Sequence, residues 1–167
     1  GVAIEDAPHM DSCLTYEGAE TATVTGLDHL EGETVKVMRD GRSHPDLQVS
    51  NGTVTLANDR TGTIIHVGLS CPWAFKSMQI EAGIEQGGDT AQGKTKRITG
   101  FVVRLLNTLG LRYGSGPDAQ IDEYDFDQGQ EYDETPALFT GDTEFLRWPE
   151  GYETAGHMYL EHDGVFP

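Results

Sequence analysis

Two turn dipeptides within a short stretch constrain this chain more than any other feature. Asp40-Gly41 and Asn51-Gly52 each follow a run in which apolar and polar residues alternate. Both dipeptides suit the positive-φ backbone of a two-residue hairpin turn. Before the first, Thr34-Val35-Lys36-Val37-Met38-Arg39 puts Val35 and Val37 on one face of a strand. Around the second, Leu47-Gln48-Val49-Ser50-Asn51-Gly52-Thr53-Val54-Thr55-Leu56 predicts a hairpin with Val49 opposite Val54 and Leu47 opposite Leu56. All four side chains then share one face, as a one-sided core needs. Asn51-Gly52-Thr53 is also a glycosylation sequon, but turn chemistry explains it without sugar. Residues 63–69 keep the period of two, with Ile65, Val67 and Leu69 inward and His66 on the opposite, surface side. A further strand is expected over 76–81. Short strands at roughly ten-residue spacing predict an all-β chain, with a small antiparallel barrel or sandwich over 22–81.

The flanks are less regular. Residues 1–21 are polar, contain Pro8 and Gly18, and read as an arm or linker. Residues 82–96 read as a Gly-rich loop. Over 97–113, Ile98, Phe101, Val102, Leu105, Leu106 and Leu109 fit helical spacing, while Phe101, Val103 and Leu105 fit a strand. The β-branched content and Gly100 favour the strand. Short strands near 143–147 and 157–162 are expected on either side of Pro149-Glu150-Gly151. Residues 82–167 thus form a second β-rich subdomain of antiparallel strands with long Gly-rich and acidic loops. The chain opens on Gly1 and stops just after Asp163-Gly164, so it reads as a piece of a longer polypeptide, truncated at its C-terminus.

Charge narrows the function. The 167 residues carry 28 acidic and 11 basic side chains, a formal net charge of -17. Phosphate-neutralising nucleic-acid binders need clustered Lys and Arg, which are scattered here. An anionic membrane surface is disfavoured for the same reason, and no run of 18 apolar residues exists to span a bilayer. A chain of this length buries roughly 70% of its unfolded surface and needs no metal or disulfide staple. Cys13 and Cys71 match no zinc or haem spacing; they read as a possible pair or as buried free thiols. The acid is concentrated: Asp118, Asp122, Glu123, Asp125, Asp127, Glu131, Asp133 and Glu134 lie in 118–134 with no Lys or Arg between them. A solvated loop is the plain reading; a surface that repels polyanions is the sharper one.

Catalytic motifs are weak. Gly88-Asp89-Thr90-Ala91-Gln92-Gly93-Lys94-Thr95 satisfies the phosphate-loop pattern, in which Lys94 would reach phosphate and Thr95 a magnesium ion. Glu85-Gln86-Gly87 separates it from the nearest apolar run, and no βαβ repeat surrounds it. Asp125-Phe126-Asp127-Gln128-Gly129 begins like a calcium loop, then fails register, with Gly at position 5 and Pro136 at the closing position. The six histidines show no paired ligand spacing, and no serine sits in a nucleophile elbow. Carboxylate pairs for glycoside hydrolysis stay open, since spatial separation is not visible. No catalytic, cofactor or metal residue is therefore assigned. Trp73, Phe75, Trp148 and Tyr152 are the candidate interaction residues: they could stack on a sugar, though such spacing suits core or interface anchors better.

Several segments resemble a known family. These are Val24-Thr25-Gly26-Leu27-Asp28-His29-Leu30-Glu31-Gly32-Glu33-Thr34-Val35 followed by Asp40-Gly41, Val49-Ser50-Asn51-Gly52-Thr53-Val54-Thr55-Leu56, and His66-Val67-Gly68-Leu69. Gln92-Gly93-Lys94-Thr95-Lys96-Arg97-Ile98 and Leu138-Phe139-Thr140-Gly141-Asp142 follow in order. Together they resemble tail tubular (nozzle) and packaged-DNA stabilisation proteins of short-tailed phages and prophages, from about residue 10 to the end. The resemblance implies a structural virion protein, not an enzyme, whose copies form a six-fold ring below portal and adaptor proteins and near tail fibres. It implies a β-rich domain of the phage tail through which DNA passes without specific binding, and no cofactor. It also implies that Gln92–Ile98 is a linker into a strand. The acidic 118–134 run departs from the family pattern and is the candidate channel-facing loop. The alternatives are a carbohydrate- or protein-binding module at the tail tip and, further off, an NTPase or a cell-wall hydrolase.

Overall fold

The computed structural model describes residues 8–58, 60–81, 90, 93–117, 119–126 and 137–166. Among these, fourteen strands form and no α-helix, so the chain is all-β with antiparallel sheets. The first six strands are β1 (Met10–Thr21), β2 (Thr23–Thr25), β3 (Thr34–Arg39), β4 (Arg42–Gln48), β5 (Thr53–Thr55) and β6 (Gly62–Ser70). A sheet in the order β1-β6-β3-β4 makes one layer, and the β2–β5 ribbon with a 3-10 turn at Asp28–Leu30 packs against it. Val24, Leu30, Val35, Val37, Val54, Ile65 and Val67, drawn from both layers, are buried in one cluster.

Local chemistry explains the two hairpin turns. Asp40 (φ 47°) and Gly41 (φ 75°) join β3 to β4, with Arg39 opposite Arg42. The Asp40 carboxylate accepts N–H bonds from Thr63 (3.1 Å) and Ile64 (2.9 Å), which ties this turn to β6. Burial pushes the Asp40 carboxyl up, but these bonds and Arg39 outweigh it and hold it below its ordinary value. Asn51 (φ 53°) and Gly52 (φ 63°) form the second turn, closed by Ser50 N–H to Thr53 O at 3.0 Å.

Beyond Ser50 and Thr53 the expected Asn51-Gly52 hairpin does not continue. Val49 N–H donates to Glu33 O (3.0 Å), and Leu56 N–H donates to Ala22 O (2.8 Å). β4 pairs with β3, Val35 facing Leu47, while β5 pairs with β2, Val24 facing Val54. Each arm finds its ladder in a different layer, so the turn is where the chain crosses between layers. Leu47, Val49, Val54 and Leu56 still meet in one core.

Three further expectations change. Residues 10–21 are no arm: β1 pairs with β6 from Met10↔Ser70 to Thr21↔Gly62. As an edge strand it sends only Leu14 and Tyr16 onto the core, so its polar majority hides the strand period. His66 is buried at 8% exposure, set between Thr15 of β1 and Met38 of β3, which lie opposite it on the flanking strands. Its Nδ1 lies 2.9 Å from Thr15 Oγ1. The strand expected over 76–81 lies earlier, at β7 (Trp73–Lys76).

The remaining strands are β8 (Gly100–Phe101), β9 (Arg104–Thr108), β10 (Arg112–Gly114), β11 (Ile121–Glu123), β12 (Phe139–Asp142), β13 (Leu146–Arg147) and β14 (Tyr159–His162). From residue 100 the 97–113 segment carries three short strands, broken at 102–103 and at 109–111, where Gly110 (φ 89°) turns the chain. Phe101, Val103 and Leu105 face the second core, and Val102 and Leu106 face out, which is the period of two. β11 lies inside the acidic run and pairs with β10. A second sheet runs β11-β10-β14-β7, and the ribbons β12–β9 and β13–β8 carry its core partners. β7 therefore belongs with the second half, not with residues 22–70. The halves join where Ser70 Oγ bonds to Asp163 and His9 N–H reaches Val165 O at 2.8 Å.

Candidate interaction surface

Register across the second sheet sets which side chains share a face. Phe75 lies opposite Leu160, Leu160 opposite Tyr113, and Tyr113 opposite Asp122. Trp73 lies opposite His162, two residues along, with ring centroids 6.2 Å apart. Tyr113 and Leu160 pack into the second core. Trp73 and Phe75 thus continue the core-facing side out to the β7 edge, where they stand 38% and 52% exposed. Around them Met78 and Ile80 are also exposed, beside a shallow groove lined by Met78, Gln79, Glu81 and His157.

The other two aromatic candidates separate. Trp148 is buried at 7% exposure and meets Phe101 edge-on at 5.8 Å, so it is a core residue and no contact for a partner. β13 delivers it there: Leu146 pairs with Phe101, and Trp148 N–H donates to Thr99 O at 3.2 Å. Tyr152 is 73% exposed, with the Arg97 guanidinium 5.8 Å from its ring centroid, a cation–π contact.

Of the acidic candidates, Asp122, Glu123 and Asp125 are described. Asp122 is half-buried on β11, and Glu123 and Asp125 are exposed. Burial, then the Asp122 charge, pushes the Tyr113 phenol up. Asp118, Asp127, Glu131, Asp133 and Glu134 lie outside the described residues, as does the calcium-like register from Asp127 onward. Among the described residues no group of three or more His, Cys, Asp or Glu could hold a metal ion. Gly88, Asp89, Ala91 and Gln92 of the phosphate-loop pattern also lie outside. Lys94 and Thr95 are exposed, and the Lys96–Glu153 bridge and then β8 follow them where a phosphate loop requires a helix. Cys13 and Cys71 are free and exposed, neither paired nor buried.

Sequence reasoning missed two features. His44 is 4% exposed: its Nε2 accepts the Ala57 N–H at 3.1 Å, which leaves Nδ1 to donate to Pro45 O at 2.7 Å. No ligand spacing marks such a histidine, because its partners are backbone groups. The second is an outward apolar group of Val102, Leu106 and Phe145, 53%, 73% and 59% exposed. The unused half of the 101–106 alternation was its only trace. Compared with known proteins, the chain matches no family model and no curated protein.

Proposed function

We propose that the chain is a structural virion protein, a β-rich domain of a phage tail tube or nozzle, and not an enzyme. In this reading it meets copies of itself, portal or adaptor proteins and tail-fibre proteins, and DNA passes by without specific binding. The observation that carries it is the distribution of exposed apolar side chains. Among the described residues nine large hydrophobics are exposed; eight lie from Trp73 onward and one, Ile64, in the first half. Such a concentration suits a surface that is covered on assembly. The net charge of -17 supports the second part, since fixed negative charge repels phosphate. Mass spectrometry of purified phage particles encoded beside this gene tests the class; absence of the protein from the particles overturns it. Electron microscopy of the protein expressed from its whole gene tests the ring. A ring with residues 118–134 on its outer wall would refute the channel role.

A second reading, a carbohydrate-binding module at the tail tip, is favoured by the exposed Tyr152–Arg97 platform. A glycan array without hits removes it.

A further inference from the structure

We infer that the sheet β11-β10-β14-β7 extends from one copy of this chain to the next, β7 of one copy pairing with β11 of a second. The inference deepens the structural reading above and rests on it only in requiring that copies meet.

Both strands are edges among the described residues, so each presents unpaired backbone groups. Hydrogen-bond parity shows which. Ser77 N–H donates to Met158 O at 2.8 Å, continuing the β7–β14 ladder in which Phe75 and Trp73 bond inward. Ala74 and Lys76 therefore point their N–H and C=O groups outward. Tyr124 N–H donates to Leu111 O at 2.8 Å, continuing the β10–β11 ladder, so Ile121 and Glu123 point outward at the other edge.

The strand count sets the direction. Four strands alternate antiparallel, so β7 and β11 run in opposite senses. Placing copies side by side without inversion then makes a new antiparallel pair, which is a head-to-tail contact that can repeat. Side chains agree with this pairing. β7 carries one charge, Lys76, and β11 carries Asp122 and Glu123. Pairing β11 with itself would set those carboxylates against their own copies, which is unfavourable in a sheet. Pairing with β7 sets Glu123 on the same face as Lys76, with Asp122 on the opposite face beside Trp73 and Phe75. Repulsion between copies of charge -17 opposes assembly at low salt. The screening length falls from ~8 Å at physiological ionic strength to ~3 Å at 1 M, so higher salt relieves this.

Sedimentation velocity across a wide concentration range, at physiological and high salt, tests the contact. The wild-type chain is expected to form species beyond a dimer as concentration rises. Ala74→Pro and Glu123→Pro each delete an outward N–H and leave the inner ladders intact. Each variant alone is expected to stay monomeric, and an equimolar mixture to give a 1:1 dimer and nothing larger. If circular dichroism shows a proline variant unfolded, Lys76→Glu, which sets like charges on the two edges, is expected to weaken association at least tenfold. A wild-type chain that is monomeric throughout overturns the inference. So does a dimer dissolved by Ala74→Pro and untouched by Glu123→Pro, which would be β7 on β7. Either result leaves the virion reading to its own test in purified particles.

Discussion

The Glu31 carboxylate clamps the Asn51-Gly52 turn from twenty residues away. Its two oxygens accept the Asn51 N–H at 2.9 Å and the Gly52 N–H at 2.6 Å. Glu31 follows the 3-10 turn that supplies Leu30 to the core, so one side chain ties that turn to the crossover between layers. The bonds to Gly52, then Asn51, hold the Glu31 carboxyl below its ordinary 4.5. A carboxylate lowered in the folded state stabilises it above the unfolded value, and that contribution disappears as pH falls through the folded value. Glu31→Gln is therefore expected to melt lower than wild type at pH 7. The difference should shrink below about pH 4.5, which melts at pH 7, 5 and 3 would show. An equal difference at all three would contradict the clamp.

Gly52 has no freedom to become larger. Its φ is 63°, and a Cβ there would stand 2.6 Å from Asp28 Oδ1. The left-handed conformation alone costs a side chain about 1–2 kcal/mol. Gly52→Ala should lose at least that much in urea denaturation, with the slope of the transition unchanged.

Ile65 tests the first core. It is fully buried at the centre of β6, among Val35, Val37 and Val67. Ile65→Val is expected to cost about 0.5–1.5 kcal/mol and Ile65→Ala about 2–5 kcal/mol, because a cavity remains that the sheet cannot close. Chemical denaturation of both variants measures the ratio; similar small losses would mean the core relaxes freely.

Trp148 and Tyr152 should behave oppositely although only three residues separate them. Trp148→Ala removes a buried ring from Phe101 and is expected to cost about 3–5 kcal/mol. Tyr152→Ala removes an exposed ring and should stay within about 0.5 kcal/mol of wild type. Thermal melts of the two variants decide which aromatics remain available to a partner.

His44→Ala would leave the half-buried Ala57 N–H without its acceptor. An orphaned donor costs about 1–3 kcal/mol when fully buried, so a loss of about 1 kcal/mol is expected here. His44→Asn, which keeps an acceptor on a shorter side chain, should recover part of the loss in the same measurement.

Particular elements show how far the chain could be read. β3 was legible because Val35 and Val37 alternate with polar residues and Asp40-Gly41 ends the run. β1 was not, because an edge strand needs only Leu14 and Tyr16 inward and can be polar elsewhere. The two turns were legible as turns, since Asp, Asn and Gly tolerate positive φ. Their ladders were not: Val49 is paired with the chain near Glu33, an acceptor that only the folded sheet brings alongside. In the candidate surface, the aromatic residues could be found but not sorted. Trp73 and Trp148 carry the same side chain, and only their neighbours decide that one is a core anchor and the other a partly open edge.

The sequence alone determined an all-β chain, the positions of its hairpin turns and the inward faces of β3 and β6. These are local properties, set by side-chain alternation and by the φ range each residue allows. Tertiary structure decided which strands pair, that His66 and Trp148 are covered, and that β7 and β11 end the second sheet. Those outcomes depend on which distant backbone groups complete each ladder and which layer shields each face. The same long-range placement takes three of the concentrated acids to β11 and its C-terminal neighbours, opposite the edge that carries Trp73 and Phe75.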